Sequence, residues 1–175
     1  GIKVKSNLIG LYNANNINAA ITIGKYFKVS NEEIKEAIES YIPENNRSQM
    51  LVKNSNEIIL DAYNANPSSM EVAINNFLQL EKGNKIAVLG DMFELGEESF
   101  EEHKHIVSLL ENESEVKTYF VGSQFFANKM DSEFVFFHET FEDFSSFIKE
   151  ETLQNQLILI KGSRGMALER TLELL

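Results

Sequence analysis

The sequence predicts an α/β fold: a mostly parallel sheet with helices on both faces, opened by an antiparallel hairpin. Three observations predict it. Four apolar runs, at 86–89, 118–121, 134–137 and 157–160, are continuous rather than alternating, as strands buried on both faces are. Helical patterns lie between and after them, and strand–helix alternation with short links makes a parallel sheet. The runs 49–53 and 57–60 are strand-like, and Asn54-Ser55-Asn56 joins them as a hairpin would.

Taken in order, residues 13–28 read as a helix, because Ile17, Ala20, Ile21, Ile23, Gly24 and Phe27 form one apolar stripe. Ser30-Asn31-Glu32-Glu33 has capping-box spacing ahead of Ile34, Ala37, Ile38 and Tyr41, and Pro43-Glu44-Asn45-Asn46 stops that second helix. The hairpin follows. Further helices are expected at about 68–80, 100–110, 125–130, 141–149 and 166–175. The change of rhythm places a domain start near 41–50. The chain opens on Gly1, and residues 2–10 carry no helix start or cap, so a piece of a longer chain is expected.

The chain has 175 residues, which suits one domain with a small appendage. Sixteen basic against 27 acidic residues give a net charge of −11, the wrong sign for a nucleic-acid backbone or an anionic membrane face. There is no cysteine, which removes disulfides, thiolate metal sites and cysteine nucleophiles. No apolar run approaches membrane-spanning length and no signal peptide opens the chain, so a cytoplasmic location is expected.

Ligands of open parallel sheets bind beyond the carboxyl ends of the strands. Three such ends are rich in polar and glycine residues. They are Asp61-Ala62-Tyr63-Asn64-Ala65-Asn66-Pro67-Ser68-Ser69-Met70, Gly90-Asp91-Met92-Phe93-Glu94-Leu95-Gly96 and Lys161-Gly162-Ser163-Arg164-Gly165-Met166. The last can gather N–H groups, a hydroxyl and two cations on a carboxylate or phosphate, or be an ordinary glycine turn with solvated charges. Asp61 suits a ribose hydroxyl or a turn cap. Asn66 reads as a helix N-cap with Pro67 in the first turn, which leaves Asn64 as the better ligand candidate. Arg47, alone between a helix and a strand, reads as solvated. His103 and His105 are two apart and do not share a helix face, and no His/Asp/Glu set has metal spacing. His138 is expected to be structural or exposed, and the phenylalanines to be core and rim.

In order and spacing these segments resemble the Mur ligases. Asn13-Ala14-Asn15-Asn16-Ile17-Asn18-Ala19-Ala20 is similar to that family's asparagine-rich helix closing a central ATPase domain, and Asn46-Arg47-Ser48-Gln49 to the arginine motif opening its C-terminal domain. The resemblance covers nearly the whole chain, and four ordered motifs make it specific. Two departures stand out: Tyr12 occupies the position before the first asparagine, where the family often has histidine, and no glycine-rich Lys-Thr loop is present. The resemblance implies that residues 1–42 are the tail of the central ATPase domain and 43–175 a C-terminal, Rossmann-like, substrate-binding domain, inactive alone. The Asp61–Pro67 run with Gly90–Gly96 most resembles the members that join D-alanyl-D-alanine to a UDP-N-acetylmuramoyl tripeptide in peptidoglycan synthesis, with folylpolyglutamate synthase-like members as the alternative within the family. Such a ligase uses ATP and Mg2+, held mainly by the central domain, and the fragment's partner is the rest of its own chain. Carried over by position, Arg47 reaches the γ-phosphate as the catalytic cation, Asp61 holds the ribose, and Asn13 and Asn16 lie beside the nucleotide. Tyr63, Asn64, Lys161, Ser163 and Arg164 face the dipeptide. No metal ligand is implied on this chain. Outside the family, a receiver-like signalling domain phosphorylated on Asp91 is the competing reading, since Asp61, Asp91 and Lys161 all follow strands. Against it, Ala62 and Tyr63 stand where a receiver needs a second acid.

Overall fold

The computed structural model of the chain describes residues 2–8 and 13–175; Tyr12 lies outside them. Six strands, β1 (Gln49–Lys53), β2 (Asn56–Asp61), β3 (Lys85–Gly90), β4 (Val116–Val121), β5 (Val135–His138) and β6 (Leu157–Lys161), form one sheet in the order β1-β2-β6-β3-β4-β5. β1 runs antiparallel to β2, and every other pairing is parallel. The hairpin turns at Asn54, whose φ of 55° lies in the left-handed region that asparagine tolerates better than most residues. β3 and β6 are buried along their whole length, which is why their sequences are continuous apolar runs.

Successive strand side chains point to opposite faces, so each strand feeds two apolar layers. On one face Met70, Ile74 and Phe77 of α3 (Pro67–Leu78), Ile106 and Val107 of α4 (Ser99–Ser108) and Phe125 of α5 (Ser123–Phe126) cover Ile59, Leu89, Phe120 and Leu159. On the other, Phe144 and Ile148 of α6 (Phe141–Ile148) and Leu168 cover Ile58, Leu60, Tyr119 and Ile160. Helices therefore lie on both faces, as the alternation predicts.

Two elements differ from expectation. The stretch 166–175 is not an α-helix but two 3₁₀ segments, Arg164–Met166 and Leu168–Leu174, joined at Ala167 with φ 49°. An α-helix cannot pass through a left-handed residue. The kink sets Leu168 and Thr171 inward while Leu172 and Leu174 pack beside them. The fifth helix is a single turn that starts earlier than expected, at Ser123, where Gly122 and Asp91 set its beginning.

Ahead of the sheet, α1 (Asn13–Tyr26) and α2 (Asn31–Ser40) pack on each other, and the Ser30–Glu33 capping box is present. Part of the apolar stripe of α1 stays uncovered among the described residues: Ile23 is 59% and Phe27 71% exposed. Among the described residues no helix is long and apolar enough to cross a membrane.

Candidate functional site

The carboxyl ends of β2, β6 and β3 lie side by side, and the three polar segments marked in the sequence meet there. A cavity of about 320 Å³ opens at the β2–β6 junction, lined by Asn13, Asn16, Arg47, Asp61, Tyr63, Asn64 and Lys161 among others. It adjoins a second of about 480 Å³, whose apolar wall comes from Ile17, Ala20, Ile38, Tyr41 and Pro43 and which shares Asn13, Asn16, Arg47 and Ser48. A wider depression at the amino ends of the strands, bounded by Lys85, Lys117 and Glu151, contains none of the candidates.

Asp61 ends β2 directly opposite Lys161, which ends β6. Lys161 Nζ donates to Asp61 Oδ2 at 2.6 Å and to the Asn64 carbonyl at 3.3 Å, and the lysine is 2% exposed. The backbone N–H of Ser48 donates to Asp61 Oδ1 at 3.0 Å. An ionised carboxylate offers about four lone-pair positions, so each oxygen keeps one for a ligand. Arg47 is exposed and lies 3.9 Å from the centre of the Tyr63 ring, held by cation–π attraction. The residues on either side of it, Asn46 and Ser48, have φ of 56° and 49°, and the Asn46 carbonyl accepts from Tyr63 N–H at 3.2 Å. That crossing presents Arg47 to the cavity and pins it to the loop after β2. Asn13, on the first turn of α1, accepts from Asn16 Nδ2 at 3.0 Å, so the two amides act as a unit.

Ser163 and Arg164 are placed differently. Ser163 is 2% exposed; its Oγ accepts from Phe93 N–H at 2.9 Å and donates to the Ala65 carbonyl at 3.4 Å. Its N–H donates to the Asp91 carbonyl at 3.1 Å, so this one residue ties the loops after β2, β3 and β6 together. Arg164 is exposed and pairs with Glu169 at 3.0 Å. Neither lines the cavity that holds Asp61.

Asp91 is 3% exposed, and its two oxygens accept from the N–H groups of Gln124 and Phe125, both at 3.0 Å. It caps α5 and offers no solvent-facing oxygen to a phosphoryl donor. His103 is fully buried and structural. Its Nε2 accepts from Met92 N–H at 3.0 Å, while Nδ1 lies 2.6 Å from the Ser99 carbonyl, a pairing that suits a proton on Nδ1. Among the described residues no three His, Asp or Glu side chains come together as a metal site.

Sequence reasoning missed Ser48, Asn66 and Ser69 as parts of the cavity wall. Asn66 is the N-cap of α3, as expected, and accepts from Ser69 N–H at 2.9 Å. The polar run 45–49 was the only trace of Ser48, and nothing in it says that a backbone N–H, rather than a side chain, makes the contact.

Residues 46–164 match the family model described as Mur ligase, glutamate ligase domain. The UDP-N-acetylmuramoyl-tripeptide–D-alanyl-D-alanine ligase of Bacillus subtilis (strain 168) is 35% identical over 170 residues, covering 93% of this chain and 37% of that protein. A crystal structure of MurF from Acinetobacter baumannii superposes with a TM-score of 0.83 at 30% identity, over 97% of this chain and 38% of the other. The fold is shared too with the MurF ligase from Thermotoga maritima in complex with ADP, at a TM-score of 0.78 and 24% identity, over 95% of this chain and 38% of that one. The chain thus spans under two fifths of the length of these relatives. With the motif order, the sheet topology and the family match in agreement, this chain belongs to the Mur ligase family and carries its glutamate ligase domain.

Proposed function

We propose that this chain is the part of an ATP-dependent amide ligase that closes over the nucleotide and receives D-alanyl-D-alanine, for addition to a UDP-N-acetylmuramoyl tripeptide in peptidoglycan precursor synthesis. The observation that carries the reading is the single cavity in which Asn13, Asn16, Arg47 and Asp61, from three separate segments, line one wall with Tyr63 and Asn64. The names of the relatives that match along nearly the whole chain support the choice of substrates.

In this reading the tripeptide carboxylate attacks the γ-phosphorus of ATP and ADP leaves. The neutral amine of the dipeptide then attacks the acyl carbon, an amide bond forms, and phosphate departs with the proton lost from nitrogen. Arg47 supplies positive charge to the transferring phosphoryl group, which matters most when charge develops in the transition state. The open lone pairs of Asp61 receive ribose hydroxyls, and the Asn13–Asn16 amides lie beside the nucleotide. Tyr63 and Asn64 border the dipeptide, Ser163 shapes the loop that meets it, and Arg164, the exposed cation of that loop, faces its free carboxylate. Magnesium, where the reaction uses it, is held by the rest of the protein, residues 1–42 being the tail of its central ATPase domain. The ligase works in the cytoplasm, where ATP is made.

The test is phosphate release by the full-length protein. It should require ATP, the tripeptide and D-alanyl-D-alanine together, and residues 1–175 alone should release none. Arg47→Ala should lower kcat on the order of 10³-fold, by analogy with arginine fingers, with little change in the KM for dipeptide. A kcat near that of the unaltered enzyme would leave Arg47 as a surface cation stacked on Tyr63.

A further inference from the structure

We infer that Lys161 is a positioning residue for nucleotide recognition, which holds the Asp61 carboxylate in the orientation that presents its open lone pairs to the ribose, and that it does not bind the dipeptide. The inference rests on the proposed role of Asp61 and extends it. Its basis is the sheet register. Asp61 and Lys161 end adjacent parallel strands and are direct partners across them, which brings the two side chains together at the mouth of the cavity. The ammonium is buried, at 2% exposure, and donates to Asp61 Oδ2 at 2.6 Å and to the Asn64 carbonyl at 3.3 Å. To meet a second carboxylate it would have to leave both partners.

Asp61 is held at both ends. Oδ1 accepts from Ser48 N–H at 3.0 Å and Oδ2 from Lys161, so the carboxylate cannot turn about its Cβ–Cγ bond. A carboxylate fixed in this way presents two lone pairs without reorganising when ligand arrives, and such preorganisation lowers the cost of binding. With Lys161 removed, only the Ser48 bond remains, the carboxylate rotates, and a half-buried charge is left without its cation. The loss falls on the nucleotide. Arg164, exposed on the neighbouring loop and paired with Glu169, is the cation proposed above for the dipeptide.

The test uses the full-length enzyme with ATP and D-alanyl-D-alanine varied in turn, ADP affinity by calorimetry and a thermal melt for each variant. Lys161→Met keeps the length and loses the charge; Lys161→Arg keeps the cation. Removing one charge-assisted bond predicts about a tenfold rise in the KM for ATP and the Kd for ADP in Lys161→Met. The KM for dipeptide should stay within about twofold on the same scale, and Lys161→Arg should recover part of the loss. Adding Asp61→Asn to Lys161→Met should weaken nucleotide binding no further, because the two residues act as one unit. If Lys161→Met does not fold, Lys161→Arg and the uncharged Asp61→Asn/Lys161→Met pair carry the same comparison. A raised KM for dipeptide with an unchanged KM for ATP overturns the inference, as does additivity between the two substitutions. If Asp61→Asn weakens ADP binding and the Lys161 variants do not, the inference alone falls. If Asp61→Asn leaves ADP binding unchanged, the proposed role of Asp61 falls with it.

Discussion

Ser163 joins three loops through one hydroxyl and one amide, and all of its contacts are internal. Ser163→Ala would leave the Phe93 N–H without its acceptor at a half-closed site. An unsatisfied donor of this kind costs about 1–3 kcal/mol. We expect a lower urea midpoint for the variant with an unchanged slope, and an unshifted midpoint would mean that water replaces the hydroxyl there. Residues of this sort set the limit of what the sequence discloses. Ser163 and Arg164 were visible as strand-end chemistry, yet not their directions, because a loop side chain turns toward whichever neighbour offers a partner. The Asp61–Lys161 pair was hidden for a related reason. The two residues are 100 positions apart, and which strands lie side by side is not written in apolar periodicity.

Among the elements, α5 depends on a feature outside itself. The Asp91 carboxylate caps it from the end of β3, and Gly122, with φ 129°, leads into it. A Cβ at Gly122 would come within 2.3 Å of Asp91 Cγ. Gly122→Ala therefore combines a backbone conformation that only glycine adopts readily with a clash against the cap. The expected cost is about 3 kcal/mol or more, measured as a drop in the urea midpoint, and a variant as stable as the parent would contradict it. At the end of β5, His138 packs against Tyr119, Phe144 and Phe147, and its Nε2 has no hydrogen-bond partner among the described residues. Burial lowers its pKa below the ordinary 6.5, and nearby Asp143 opposes the shift only partly. The unfolded chain thus takes up the proton first. The stability tied to neutral His138 is present above pH 6.5 and is lost as pH falls from 6.5 through the folded value. His138→Phe should flatten the fall in melting temperature across that acidic range relative to the parent, and parallel curves would show that His138 does not contribute. The strands around these helices were legible because burial on both faces needs continuous apolar runs. The 3₁₀ ending was not. Leu168, Thr171, Leu172 and Leu175 have the i, i+3, i+4, i+7 spacing of an α-helix, and no residue type announces the left-handed Ala167 that breaks it.

At the scale of the molecule, α1 and α2 and the sheet share the cavity but little of the core. Lys5 and Asn7 bond to Glu39 and Tyr41 within the first segment, whereas the two apolar layers are built from residues from Leu51 onward. Residues 43–175 should consequently fold without the preceding ones and unfold in one cooperative step, followed by circular dichroism against temperature. A broad, non-cooperative melt would show that the first two helices are needed. The strand order has a further consequence, in time rather than in space. β6 is the last strand in sequence, yet it lies between β2 and β3 and bonds to both. While a ribosome is making this protein, β2 and β3 must wait, each with an unpaired edge, until residues 157–161 have emerged. Such long-range closure is slow, and exposed edges invite wrong partners meanwhile. Because Lys161 arrives on that same strand, the seam between β2 and β3 closes and Asp61 gains its ion-pair partner in a single event.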